Sequence, residues 1–183
     1  MSKHPVRNYV EGILNGSIPA CETVRLAVQR HEADLEHGKE RGLWFDRAAA
    51  QHVLDFFHFL RHSKGEWAGQ EFVLEPWQQW LLSVLFGWKR ADGFRRFRTA
   101  YVEVPRKNGK TTMAAGVGLY LMVADGEPGA EVYTAATKRD QARLAHGEAT
   151  RMVRKSPALS RMVTVFKDNL SIPASASKYE PLG

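Results

Sequence analysis

The chain has 183 residues, the size of one large domain or of one domain with a small appendage. Its 44% hydrophobic and 25% charged content excludes a disordered, collagen-like or coiled-coil chain, and an excess of 26 Lys and Arg over 20 Asp and Glu, +6 in all, permits nucleic-acid contact without establishing it. The single cysteine, Cys21, excludes an internal disulfide framework and suits a reducing cytosol. The longest apolar stretch, 117–124, is broken by Gly118 and is too short for a membrane helix, and the opening MSKHPVRNYVEG lacks the apolar core of a signal peptide.

In chain order, Val6 to Leu14 and Glu22 to Leu35 carry apolar residues at helical spacing, with Gly16, Ser17 and Pro19 between them. Asp46 is placed to cap a third helix whose apolar face, Val53, Leu54, Phe56, Phe57 and Leu60, runs toward a break at 63–65. A fourth helix starts at Pro76, carries Trp77, Trp80, Leu81, Leu82 and Leu85, and ends near Gly87. The texture then changes. Arg98 to Val104 is a β-prone run stopped by Pro105, Lys110 to Ala124 a helix, and Glu131 to Ala135 a strand, which together read as one β-α-β unit. Lys138 to Lys155 reads as a further helix broken at Ser156-Pro157. Met162 to Lys167 with Leu170 to Ile172 reads as a pair of short strands, and 173–183 shows no periodicity.

Between the first strand and its helix lies Pro105-Arg106-Lys107-Asn108-Gly109-Lys110-Thr111-Thr112. Gly109 permits a turn tight enough to aim backbone N–H groups inward at a helix N-terminus, where the dipole favours anions. Lys110 would reach the β- and γ-phosphates of a nucleotide, and Thr111 would place its hydroxyl on Mg²⁺. The motif G-x-x-x-x-G-K-[ST] asks for a further glycine where this chain has Val104, which weakens a generic P-loop assignment. The alternative is a Gly-Lys-Thr that merely starts a helix.

The variant loop V-P-R-K-N-G-K-T resembles the Walker A segment of phage terminase large subunits, ATPases that drive DNA into procapsids. Glu75-Pro76-Trp77-Gln78 is similar to that family's adenine-recognition element, and Leu85-Phe86-Gly87-Trp88, Thr134 to Thr137 with Gln141-Ala142, and the helices around Phe45-Asp46 extend the likeness over nearly the whole chain. The resemblance implies an α/β fold in which the first half of a P-loop NTPase-type parallel sheet follows a small helical region, with residues 1–70 as the helical region and 71–183 as a partial ATPase core. It implies ATP and Mg²⁺ as cofactors, with Trp77, Gln78, Arg106, Lys107, Asn108, Gly109, Lys110, Thr111 and Thr112 around the nucleotide. Gln78 falls on the adenine edge and Thr111 on the metal, while Lys110 and Arg106 are catalytic. Arg106 would stabilise transition-state charge through paired donors, where the alternative is a phosphate-binding or solvent-facing arginine. The partners implied are double-stranded DNA, a terminase small subunit, a portal protein and further copies of the chain, with no membrane, in the host cytoplasm.

Hydrolysis in such motors needs a strand ending in Asp followed by Glu, and no Asp-Glu pair occurs in this sequence. Asp125 lies past the end of the P-loop helix, and Lys167 interrupts the run before Asp168. The resemblance places that strand, a coupling motif and a nuclease domain later in the family's chains, so the chain reads as cut short and as binding ATP-Mg²⁺ without completing hydrolysis. A helicase-like ATPase and a non-catalytic nucleotide-binding or interaction remnant stay open beside the motor. Lys89, Arg90, Arg95, Arg96 and Arg98, interleaved with Trp88, Phe94 and Phe97, form either a surface for duplex phosphates or a solvated hairpin. His58 and His62 have metal-compatible spacing but no third ligand in a recognisable motif.

Overall fold

The structure, a computed structural model, describes residues 5–182, so the first four residues of the helical region and Gly183 lie outside the described residues. It divides into two compact units, the described parts of Met1–Asp55 with Leu74–Val102 and of Phe56–Val73 with Glu103–Gly183.

In the first unit α1 (Pro5–Leu14) and α2 (Glu22–His37) are joined by a turn that Gly16, at φ 78°, and the Asn15 side chain shape; the Asn15 Oδ1 accepts the Ser17 N–H at 2.9 Å. Strand β1 (Leu43–Phe45) leads into α3 (Arg47–Phe57), whose start Asp46 caps by accepting the Ala49 N–H at 2.9 Å. Helix α4 (Pro76–Gly87) opens with proline at its first turn and runs into β2 (Trp88–Arg90), which pairs antiparallel with β1. Val10, Ile13, Val28, Trp80, Val84 and Trp88 form the core of this unit. The Trp88 indole N–H, drawn inside with its ring, donates to His31 Nδ1 at 3.0 Å.

The second unit holds α5 (Lys110–Val123), β3 (Glu131–Ala135), α6 (Arg139–Lys155), the short α7 (Leu159–Met162), β4 (Thr164–Val165), β5 (Leu170–Ile172) and β6 (Ser177–Leu182). The strands lie in the order β3-β6-β5-β4, with β3 and β6 parallel and the remaining neighbours antiparallel. Helices α5 and α6 pack on each other and on β3 and β6. The contact is close because Gly116 and Gly118 remove side chains from α5: the Phe57 ring edge lies over one and the Tyr179 ring over the other. The expected α/β fold behind a helical region is therefore present, and its sheet is mixed, with one parallel pair.

Four expectations require correction. Arg98–Val104 pairs with no strand of either sheet; a β-prone run becomes a strand only where a partner supplies the ladder, and here Tyr101 is 87% exposed. The β-α-β unit read around α5 therefore does not form, and the parallel pair is β3 with β6, connected through α6, α7 and the β4-β5 hairpin. The third helix stops at Phe57 rather than near 63–65, because Phe59 and Leu60 donate three residues back and the Leu60 carbonyl then accepts the Phe72 N–H. The tail is not aperiodic: Ser177, Tyr179 and Pro181 are buried while Lys178 and Glu180 are half-buried, a period-two strand whose inward residues include no aliphatic or β-branched side chain.

Candidate functional site

The segment from Pro105 to Gly109 forms a turn that delivers the chain into α5 with Lys110 as its first residue. Lys107 (φ 70°) and Gly109 (φ 71°) are both left-handed; glycine adopts this freely, whereas lysine there is a local strain of the kind that gathers at ligand-binding loops. The first helical hydrogen bond runs from the Met113 N–H to the Gly109 carbonyl at 2.9 Å, and no side chain caps α5. The N–H groups of Lys110, Thr111 and Thr112 thus precede the ladder at the positive end of the helix dipole.

Lys110 folds back across the turn, and its Nζ donates to the Val104 carbonyl and, at 3.2 Å, to that of Pro105. Asn108 Nδ2 ties the same turn, 3.3 Å from the carbonyls of Pro105 and of Arg106. This explains the departure at position 104. Val104 serves through its main-chain oxygen, and its φ is not positive, so neither contact nor conformation requires glycine there. Arg106, Lys107, Asn108, Lys110 and Thr111 are exposed, with Gly109 and Thr112 half-buried, so the loop presents its cations and its hydroxyl to solvent. Helix N–H groups, an ammonium and a hydroxyl at the next residue form a donor set that fits a nucleotide's phosphates and their divalent cation.

Gln78 and Trp77 lie in the other unit. Gln78 is buried, and its Oε1 accepts the Glu75 N–H at 2.9 Å, closing the first turn of α4, while Trp77 is half-buried. The basic cluster is largely taken up by the fold. Arg96 pairs with the buried carboxylate of Asp34 and lies over the rings of Trp88 and Phe97, Arg95 lies over Phe86, and Arg90 holds Asp92 at 2.7 Å. Arg90, Arg95 and Arg96 are half-buried, and Arg98 is exposed. His58 pairs with Glu71, His62 stands edge-on to Phe72 at 5.0 Å, and no group of three metal-ligating side chains occurs among the described residues. Nor is any described helix long and apolar enough to cross a membrane.

Helices packed on a mixed sheet with one parallel pair form an α/β fold. The sequence model of the terminase large subunit ATPase domain matches residues 76–183, and the chain belongs to that family. Among solved structures, the large terminase of bacteriophage HK97 is similar with a TM-score of 0.61 at 22% identity, over 73% of this chain. The chain spans 27% of the length of that terminase. No curated protein matches it.

Proposed function

We propose that the chain is the nucleotide-binding part of a terminase large subunit, the ATP-driven motor that packages double-stranded DNA into procapsids. The observation that carries this reading is the turn 105–109, which presents three helix N–H groups, the Lys110 ammonium and the Thr111 hydroxyl together at the head of α5, within a chain of the terminase ATPase family. In this reading Lys110 leaves the Val104 and Pro105 carbonyls for phosphate oxygens, and the N–H groups of residues 110–112 hold the anion. The Thr111 hydroxyl takes a place in the Mg²⁺ shell. When bound, ATP with Mg²⁺ supplies the transferable γ-phosphoryl group and the cation that offsets its charge. Arg106, exposed on the same turn, brings paired donors to the charge that develops, and Lys107 and Asn108 complete the loop. Double-stranded DNA, the small subunit, the portal and further copies of the chain are the partners of the intact motor, in the host cytoplasm.

No Asp-Glu pair is present, so this chain binds nucleotide without turning it over. The same absence favours a second reading, a non-catalytic nucleotide-binding element. Phosphate release from ATP by the full chain, with and without Mg²⁺, tests the proposal. Release at the level of the buffer blank is expected; turnover abolished by Lys110→Ala would show that carboxylates within the chain complete the site.

A further inference from the structure

A second concave surface lies in the same unit, lined by residues outside the 105–112 loop. It is a cavity of about 430 Å³, within the range of small-ligand sites, between one face of α6 and the turn that joins β4 to β5. Arg143, Arg151 and Arg154 line it from α6 at spacings that bring them to one side of the helix, and Lys167 faces them from the turn. Two of these cations are matched, Arg143 by Asp168 at 3.0 Å and Arg151 by Glu148 at 2.6 Å. Arg154 and Lys167 are exposed and have no acidic partner among the described residues.

One further feature separates this surface from an ordinary solvated patch. Gly147 lies in the interior of α6 on the wall of the cavity, where glycine weakens a helix, yet a Cβ built on it would meet only Arg151 Nη1 at 3.5 Å. Packing does not call for glycine there; its effect is to leave the backbone open to the cavity.

We infer that this cavity binds a compact phosphate anion, separately from the 105–111 loop. Arginines with a lysine converging on a small concave volume match a tetrahedral oxyanion by charge and by forked donors, and two of the four cations are left over once the local acids are paired. A duplex backbone needs a row of cations along a ridge, whereas the four here gather about one concavity of about 430 Å³, which favours the compact ligand.

The test uses the full chain carrying Lys110→Ala, which removes the loop's contribution, titrated with inorganic phosphate and with pyrophosphate while backbone amide shifts are followed by NMR. Shifts at Gly147, Thr150, Lys167 and Asp168 that saturate are expected, with affinity weakened about tenfold or more when Arg154→Ala and Lys167→Ala are added. Absence of those shifts, or an affinity unchanged in the triple variant, would overturn the assignment. So would a short DNA duplex moving the same amides where neither phosphate nor pyrophosphate does. Amide dispersion in the same spectra reports folding, and Lys167→Gln alone, at an exposed turn position, repeats the test should the triple variant unfold.

Discussion

Replacing Gly116 by alanine sets two effects of known sign against each other. In an exposed helix the change stabilises by about 0.5–1 kcal/mol, because glycine carries the larger backbone entropy cost. Here the new Cβ would lie 2.5 Å from Phe57 Cε1, 2.8 Å from its Cζ and 2.9 Å from Leu60 Cδ1, against an unstrained separation of roughly 3.5–4.0 Å between carbon atoms. Phe57 is 1% exposed and Leu60 fully buried, so neither can swing into solvent. Relief requires α5 to move by about an ångström from its packing, and overpacking of this kind costs about 1–3 kcal/mol. With a cost near the upper end, the net is a loss of about 2 kcal/mol, which lowers the melting temperature by about 4–8 °C in a chain of this size. The comparison is Gly147→Ala in α6, where a Cβ meets only Arg151 Nη1 at 3.5 Å and a gain of about 0.5–1 kcal/mol is expected. Thermal or urea unfolding of the two variants beside the parent chain reads both. A Gly116→Ala chain as stable as the parent, or more so, would refute the close packing of α5.

Further expectations rest on single interactions. Gly118→Ala drives a Cβ to 2.7 Å from the buried Tyr179 ring and should lower the urea midpoint by an amount similar to Gly116→Ala. Asp34 is 3% exposed and holds both Arg41, which is exposed, and Arg96, which is half-buried; Asp34→Ala leaves the half-buried guanidinium without its partner and should cost about 1–3 kcal/mol in chemical denaturation. Asp46→Ala removes the cap of α3 and should cost about 1 kcal/mol, a cost that Asp46→Ser should mostly restore. Burial holds the His31 imidazole below its ordinary range, with Arg7, Arg30 and Arg96 acting in the same direction and Glu32 opposing them. A histidine whose folded pKa is depressed binds its proton more readily when unfolded. Its contribution is therefore complete above about pH 6.5 and is lost as the pH falls below that value. Melting temperature against pH should fall on the acid side in the parent chain and be flatter there in His31→Gln.

The helices of the first unit were legible because their apolar faces repeat at helical spacing and because Asp46 and Pro76 mark two starts. The loop was legible for a different reason: Gly-Lys-Thr at a helix start is local chemistry that needs no tertiary partner. The sheet was not. Arg98–Val104 has the composition of a strand but no ladder, whereas Ser177–Leu182 acquires its identity from pairing with β3 and buries Ser177 and Pro181, residues without a strand signature. Position 104 was misleading for a related reason, since a side-chain pattern cannot show that Val104 serves through its carbonyl. The four basic residues that line the cavity beside α6 are spread over 143–167, and only the fold brings them together.

The central claim is that the turn 105–109 and Lys110 form a nucleotide site. Binding of a fluorescent ATP analogue to the full chain in Mg²⁺, beside Lys110→Ala, tests it most directly. Saturable binding that weakens about 10- to 100-fold in the variant is the expected result, from the loss of one charge-assisted contact. Equal binding by the two chains, or none by a folded parent chain, would contradict the account.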